Sequence, residues 1–128
     1  MDGKSFWMSA ALILFAALGC NQDLTLIAVN DASSNKLNTF VTDTDNNPVY
    51  VSVTNVTPGQ RSGRTETLAV YNQDPPVTTI KVIGVLRNTD GMEVARLEEE
   101  HGIKQAGARV TVTATSDTDL EVTVQDGP

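Results

Sequence analysis

The sequence predicts an all-β protein, an antiparallel β-sandwich of about seven or eight strands that follows a short apolar leader. Valine and threonine dominate the chain after residue 20, and their β-branched side chains favour strands. Several runs alternate apolar with polar residues, which is the period of a strand with one buried face. Polar turn sequences separate these runs at the spacing typical of sandwiches and barrels.

The clearest element is a hairpin near the end of the chain, in the sequence RVTVTATSDTDLEVTVQ. Val110, Val112 and Ala114 alternate with threonines, and the pattern resumes after a polar turn with Leu120 and Val122. Two runs of period two joined by a short polar turn predict antiparallel strands with a common buried face.

The same reasoning places strands along the rest of the chain. The predicted strands cover residues 24–29, 38–43, 49–56, 65–72, 78–87, 92–98, 108–115 and 119–125. The segment TTIKVIGVLRN is apolar on both faces, so the strand over 78–87 is expected at the centre of a sheet or beneath another element.

Two parts of the chain leave alternatives open. Residues 92–101 follow Asp90-Gly91, which is a strong hairpin signal, but Asp90 and Glu93 could also cap a helix. We favour the hairpin. Residues 20–37 could be a tether, or they could contribute the first strand through the apolar run at 24–29.

The leader predicts where the protein resides. Its apolar stretch is about 13 residues long, which is short of the roughly 20 that span a bilayer and typical of a secretory signal. The sequence ILFAALGC ends in Ala17-Leu18-Gly19-Cys20, which resembles the lipobox of bacterial lipoproteins. That resemblance implies cleavage before Cys20 and its modification by diacylglycerol and palmitate-type acyl chains.

The predicted organisation therefore has three parts. Residues 1–19 are a lipoprotein signal peptide, residues 20–37 are the anchored N-terminus, and residues 38–128 form the sandwich domain. Asn21 follows the cysteine where aspartate favours retention in the inner membrane, so the resemblance implies an outer-membrane location in the cell envelope. The net charge of −7 disfavours nucleic acid as a partner.

Acidic turns raise the possibility of a metal site. In DTDNNP, Asp43, Asp45 and Asn47 have the spacing of the first three ligands of a calcium loop. Pro48 stands where that loop needs glycine and Thr54 where it needs a bidentate glutamate, so we favour a plain turn.

A second acidic turn offers a weaker alternative. It contains Asp117 and Asp119, and two such loops at one end of a sandwich could share an ion. The run Glu98 to His101 holds the only histidine; we interpret it as a charged strand edge that discourages edge-to-edge pairing, not as a zinc site.

The stretch VTDTDNNPVYVSVTNVTPG, over residues 41–59, is similar to the opening strands of bacterial Ig-like and fibronectin-like modules. Together with the leader, this resemblance implies a non-catalytic structural or protein-interaction lipoprotein of the envelope or surface. Its expected partners are the membrane, through Cys20, and an envelope protein or a second copy. The alternative is a lipoprotein that binds calcium or a glycan through the acidic loops; no cofactor is expected.

Overall fold

The structure is a computed structural model that describes residues 23–46, 48–67, 78–103 and 107–125. These residues form eight strands in two four-stranded sheets, which confirms the predicted all-β sandwich. The strands are β1 Asp23–Asn30, β2 Lys36–Thr42, β3 Val49–Val56, β4 Gln60–Thr67, β5 Thr79–Arg87, β6 Glu93–Gly102, β7 Ala108–Ala114 and β8 Leu120–Gln125.

The first sheet has the order β4-β1-β7-β8, and the second has the order β3-β2-β5-β6. All pairs are antiparallel except β1 with β7, which run parallel. The first two strands therefore lie in opposite sheets, unlike those of immunoglobulin constant domains, which share one.

The hydrophobic core lies between the four central strands β1, β2, β5 and β7. Alternate residues of each strand point inward, so that the alternation in the sequence becomes one buried layer per sheet. The largest fully buried apolar side chains are Leu24, Leu26, Leu37, Val41, Ile80, Val82, Leu86, Val110 and Val112. As expected for a strand that is apolar on both faces, β5 is central, between β2 and β6.

The register sorts the connections into two ends of the sandwich. Lys36 of β2 pairs with Arg87 of β5, Leu37 pairs with Val56 of β3, and Asn30 of β1 pairs with Gln60 of β4. Loops 31–35, 57–59, 88–92 and 115–119 therefore lie together, and we call this the far end. The near end holds the first residue of β1, the loop at 43–48 and the last residue of β8.

The two segments that the sequence left ambiguous, within 20–37 and at 92–101, both contain strands. Residues 23–30 form a strand paired on both sides, so the apolar run belongs to the domain. Residues 93–102 form β6, as the hairpin interpretation predicted. Within the loop at 88–92, Asn88 and Met92 form the last hydrogen-bonded pair, so the turn has three residues, 89–91, instead of two. The Asn88 N–H donates to the Met92 carbonyl, the Asn88 carbonyl accepts from the Gly91 N–H, and Gly91 has φ +80°.

The predicted strand at 65–72 begins five residues too late, and its residues 68–72 lie outside the described residues. The strand found there, β4, covers 60–67 and starts directly after Gly59, whose φ is +82°. Strand β4 lies at the edge of the first sheet, and its residues are almost all exposed and polar. Hydrophobic alternation cannot detect such a strand, and the apolar Leu68 and Val70 that suggested 65–72 lie outside the described residues.

Candidate functional site

A groove of about 480 Å³ opens at the far end of the sandwich. It lies where the outer faces of β2 and β5 meet the β1–β2 loop, the end of β3 and the β5–β6 hairpin. Its lining residues are Ser34, Asn35, Lys36, Asn38, Asn55, Pro58, Arg87, Asn88, Thr89 and Gly91. The volume is within the range of small-molecule sites. The lining residues include amides, hydroxyls and two cations, although most of the surface that they present to the groove is apolar.

Asn30 supports the groove from below. This side chain is fully buried, and its Nδ2 donates to the carbonyl oxygens of Asn35 at 2.7 Å and Val56 at 2.8 Å. The Asn30 carbonyl accepts a hydrogen bond from the Gly59 N–H. One residue thus ties the β1–β2 loop and the β3–β4 turn to the end of β1, while its own Oδ1 is buried without a hydrogen-bond partner.

Asp117, in the loop between β7 and β8 of the first sheet, fixes the β1–β2 loop. Its Oδ1 accepts hydrogen bonds from the N–H of Ser34 at 2.7 Å and the Ser34 hydroxyl at 2.9 Å. The Asn35 side-chain amide donates to the Asp117 carbonyl oxygen. The backbone N–H of Ser34 and then its hydroxyl lower the pKa of the Asp117 carboxyl, because both stabilise the ionised form.

Two cations stand side by side on the outer face of the second sheet. Lys36 lies directly opposite Arg87 in the antiparallel pair of β2 and β5. Arg87 Nη1 donates to the Gly91 carbonyl oxygen at 3.0 Å, which orients the guanidinium. The groove is therefore locally cationic in a chain whose net charge is −7.

The groove amides are oriented by their backbone partners. Asn38 Oδ1 accepts the Asn55 N–H at 2.9 Å, and Asn88 Oδ1 accepts the N–H groups of Asp90 and Met92 at 3.0 Å. Since a backbone N–H can only donate, the oxygen of each amide must face it. The Nδ2 groups of Asn38 and Asn88 remain as donors.

The acidic loops lie at opposite ends of the sandwich, so the hypothesis that they share an ion is wrong. Asp43 and Asp45 belong to the near end, whereas Asp117 and Asp119 belong to the far end. The length of β2 separates them, roughly 20 Å for a strand of this size. Asn47 lies outside the described residues.

The carboxylates in these loops build turns instead. Asp43 Oδ1 accepts the Asp45 N–H at 2.8 Å, and Asp119 Oδ2 accepts the Ser116 hydroxyl at 2.9 Å. In the described ranges, no three histidine, cysteine or acidic side chains come together as a metal site.

The run from Glu98 to His101 lies on β6, an edge strand of the second sheet. Because successive side chains on a strand point to opposite faces, Glu98 pairs with Arg96 at 2.6 Å on one face, and Glu99 contacts His101 at 2.8 Å on the other. Arg96 also contacts Glu93. The charges follow an exposed edge, as the edge-strand interpretation predicted.

The predicted lipidation site, Cys20, lies outside the described residues. Within the ranges that the structure describes, no helix has the length and apolar character needed to cross a membrane. The groove was not predicted from the sequence. Lys36 and Arg87 are far apart along the chain and belong to no motif, so only the β2–β5 register could have joined them.

No known protein family matches the chain, and neither does any curated protein. Among solved structures, an NMR structure of a protein from Eubacterium rectale is similar at 15% sequence identity, with a TM-score of 0.47; the match covers 83% of this chain and 91% of that one.

Proposed function

We propose that the protein is a lipid-anchored, non-catalytic interaction module of the bacterial cell envelope, standing on the outer membrane and presenting its far end to a partner. The observation that carries this proposal is the short distance along the chain from Cys20 to the sandwich. Strand β1 begins at Asp23, three residues after the cysteine. Three residues span about 10 Å at most.

This spacing would orient the whole domain on a membrane. Because β1 is a central strand paired on both sides, its first residue is a fixed point of the near end. Acyl chains on Cys20 would therefore hold the near end against the bilayer. The loops at 31–35, 57–59, 88–92 and 115–119 would then face away from it.

The partner surface is not the apolar run of β1. Both edges of β1 are already paired, with β4 and with β7, so residues 24–29 have no free edge to which a neighbouring protein could add a strand. The far end is the better candidate, because its loops are braced by Asn30 and Asp117. Preorganised loops lose less conformational entropy on binding. The partner is an envelope protein or a second copy of this chain.

The alternative function is capture of calcium or a glycan by the acidic loops. The two loops cannot share a calcium ion, because they lie at opposite ends of the sandwich. A single loop offers only the carboxylates that already build its turn. No observation in the described part of the chain favours calcium over the interaction role.

Mass spectrometry of the mature protein tests the anchor. Membrane-extracted protein should begin at Cys20 and carry the mass of diacylglycerol, with or without a further acyl chain. The Cys20→Ser variant should keep its leader or appear in the soluble fraction. A wild-type protein that keeps residues 1–19 and stays soluble would overturn the proposal.

Chemical cross-linking in intact cells tests the partner surface. A photo-reactive residue at Thr118, in the far-end loop 115–119, should capture an envelope protein or a second copy. The same group at Thr44, in the near-end loop, should not. Equal capture at both positions would argue against a far-end interface.

A further inference from the structure

We infer that the far-end groove binds an oxyanion, a carboxylate, sulfate or phosphate group, between Lys36 and Arg87. This goes beyond the interaction role, and it does not depend on the lipid anchor. The inference combines three observations: the two cations, the donors around them and the size of the groove.

The cations are placed against each other. Lys36 and Arg87 face one another directly across β2 and β5, and like charges in that position destabilise a sheet. Neither forms an ion pair with a carboxylate in residues 23–46, 48–67, 78–103 or 107–125. Glu93, which lies opposite Arg87 on β6, contacts Arg96 instead. An anion between the two cations would remove their repulsion.

The neighbouring polar groups match an anion as well. The Asn88 Oδ1 accepts two backbone N–H groups and the Asn38 Oδ1 accepts one, so the Nδ2 group of each side chain is left as a donor. Arg87 uses Nη1 on the Gly91 carbonyl and keeps Nε and Nη2. A carboxylate, sulfate or phosphate has acceptors only, so it complements this set of donors.

The groove is larger than a bare oxyanion needs. Its volume of about 480 Å³ leaves room for a further body beside the charged group, next to Asn55 and Thr89. A sugar acid has such a body, whereas inorganic sulfate and phosphate do not. The shared chemistry is the oxyanion, and the choice of probe identifies its source.

Titration of the ¹⁵N-labelled full chain in a neutral detergent tests this inference by NMR. The probes are glucuronate, inorganic sulfate and inorganic phosphate, with glucose as the uncharged control. We expect saturable shifts of the Arg87 Nε–H and of the side-chain amides of Asn38 and Asn88 with at least one anion, and none with glucose. A response to glucuronate alone would identify a sugar acid.

The variant Lys36→Glu separates lost binding from lost folding. It places a carboxylate opposite Arg87, so it should raise the melting temperature while weakening anion binding at least tenfold. Arg109→Met removes one positive charge from an exposed position on β7, in the other sheet, and should leave binding unchanged.

Two results would overturn the inference: no saturable shift at these residues with any of the three anions, or equal affinity in the wild type and Lys36→Glu. The anchor is tested separately by the mass of the mature protein. If anion binding is not found, the proposal of a lipid anchor is unaffected, and the reverse also holds.

Discussion

At the scale of single residues, the far end depends on one buried asparagine. Asn30 supplies the donor for two carbonyl oxygens that belong to different segments of the chain. A buried polar group that loses its partner costs about 1–3 kcal/mol. Asn30 therefore stabilises the fold through the two carbonyl oxygens to which it donates, although its own Oδ1 has no hydrogen-bond partner.

Replacing Asn30 by alanine should lower the free energy of unfolding by about 2–4 kcal/mol, because one buried and one partly buried carbonyl oxygen lose their donor. Chemical denaturation measures this loss. The matched control is Asn35→Ala, which removes one exposed hydrogen bond to the Asp117 carbonyl and should cost less than about 1 kcal/mol. Equal costs for the two variants would contradict the role given to Asn30.

Gly84 is a second residue that the packing requires. It lies on the inner face of β5, where an added Cβ would be 3.0 Å from Val112 Cγ1 and 3.4 Å from Leu120 Cδ1. The absence of a side chain lets β5 approach β7 and β8 of the facing sheet.

The variant Gly84→Ala should destabilise the protein by about 1–3 kcal/mol through overpacking of the core. In Gly63→Ala the new Cβ would be 3.5 Å from Ile27 Cγ1, an ordinary contact, so its stability should be unchanged or slightly higher. Thermal unfolding of the two variants compares them directly, and a neutral Gly84→Ala would contradict close packing at this point.

At the scale of elements, alternation of apolar and polar residues predicts those strands that have one buried face. Strand β3 has its predicted limits, and β7 with β8 has the predicted hairpin. The start of strand β4 was missed because its exposed residues carry no alternation, and what defines the strand is its pairing with β1. Pairing between distant segments leaves no local pattern in a sequence.

Loops 31–35 and 115–119 are coupled through Asp117, and this coupling should depend on pH. Hydrogen bonds from Ser34 lower the pKa of Asp117 in the folded state below its unfolded value of about 3.9. The stabilisation that ionised Asp117 gives to the folded state is therefore present above the unfolded pKa of this carboxyl. It is lost as the pH falls through the folded pKa.

The variant Asp117→Asn should consequently melt at a lower temperature than the wild type at pH 7. The difference should shrink as the pH is lowered through the folded pKa, because the wild-type carboxyl then becomes neutral too. Asp90→Asn is the control, since it removes a carboxylate at the same end without breaking a hydrogen bond between loops. A difference that stays constant with pH would contradict the coupling.

At the scale of the whole molecule, the sequence predicted the sandwich but not its two ends. Spacing along the chain could not show that Asp43 and Asp117 lie roughly a strand length apart, or that Lys36 and Arg87 lie side by side. Both facts depend on strand order and register. The groove could therefore be recognised only from the folded structure. The lipobox resemblance, in contrast, rests on four consecutive residues and could be recognised from the sequence.

The orientation on the membrane tests the proposed function most directly. In lipidated protein with Cys20 acylated, the variants Thr44→Cys and Thr118→Cys each add one exposed thiol, at the near end and the far end respectively. Each thiol would be labelled with a fluorophore and the protein reconstituted into vesicles that contain a quencher lipid. We expect strong quenching at Thr44→Cys and little at Thr118→Cys. Equal quenching at both positions, or stronger quenching at Thr118→Cys, would contradict a domain that stands on its near end.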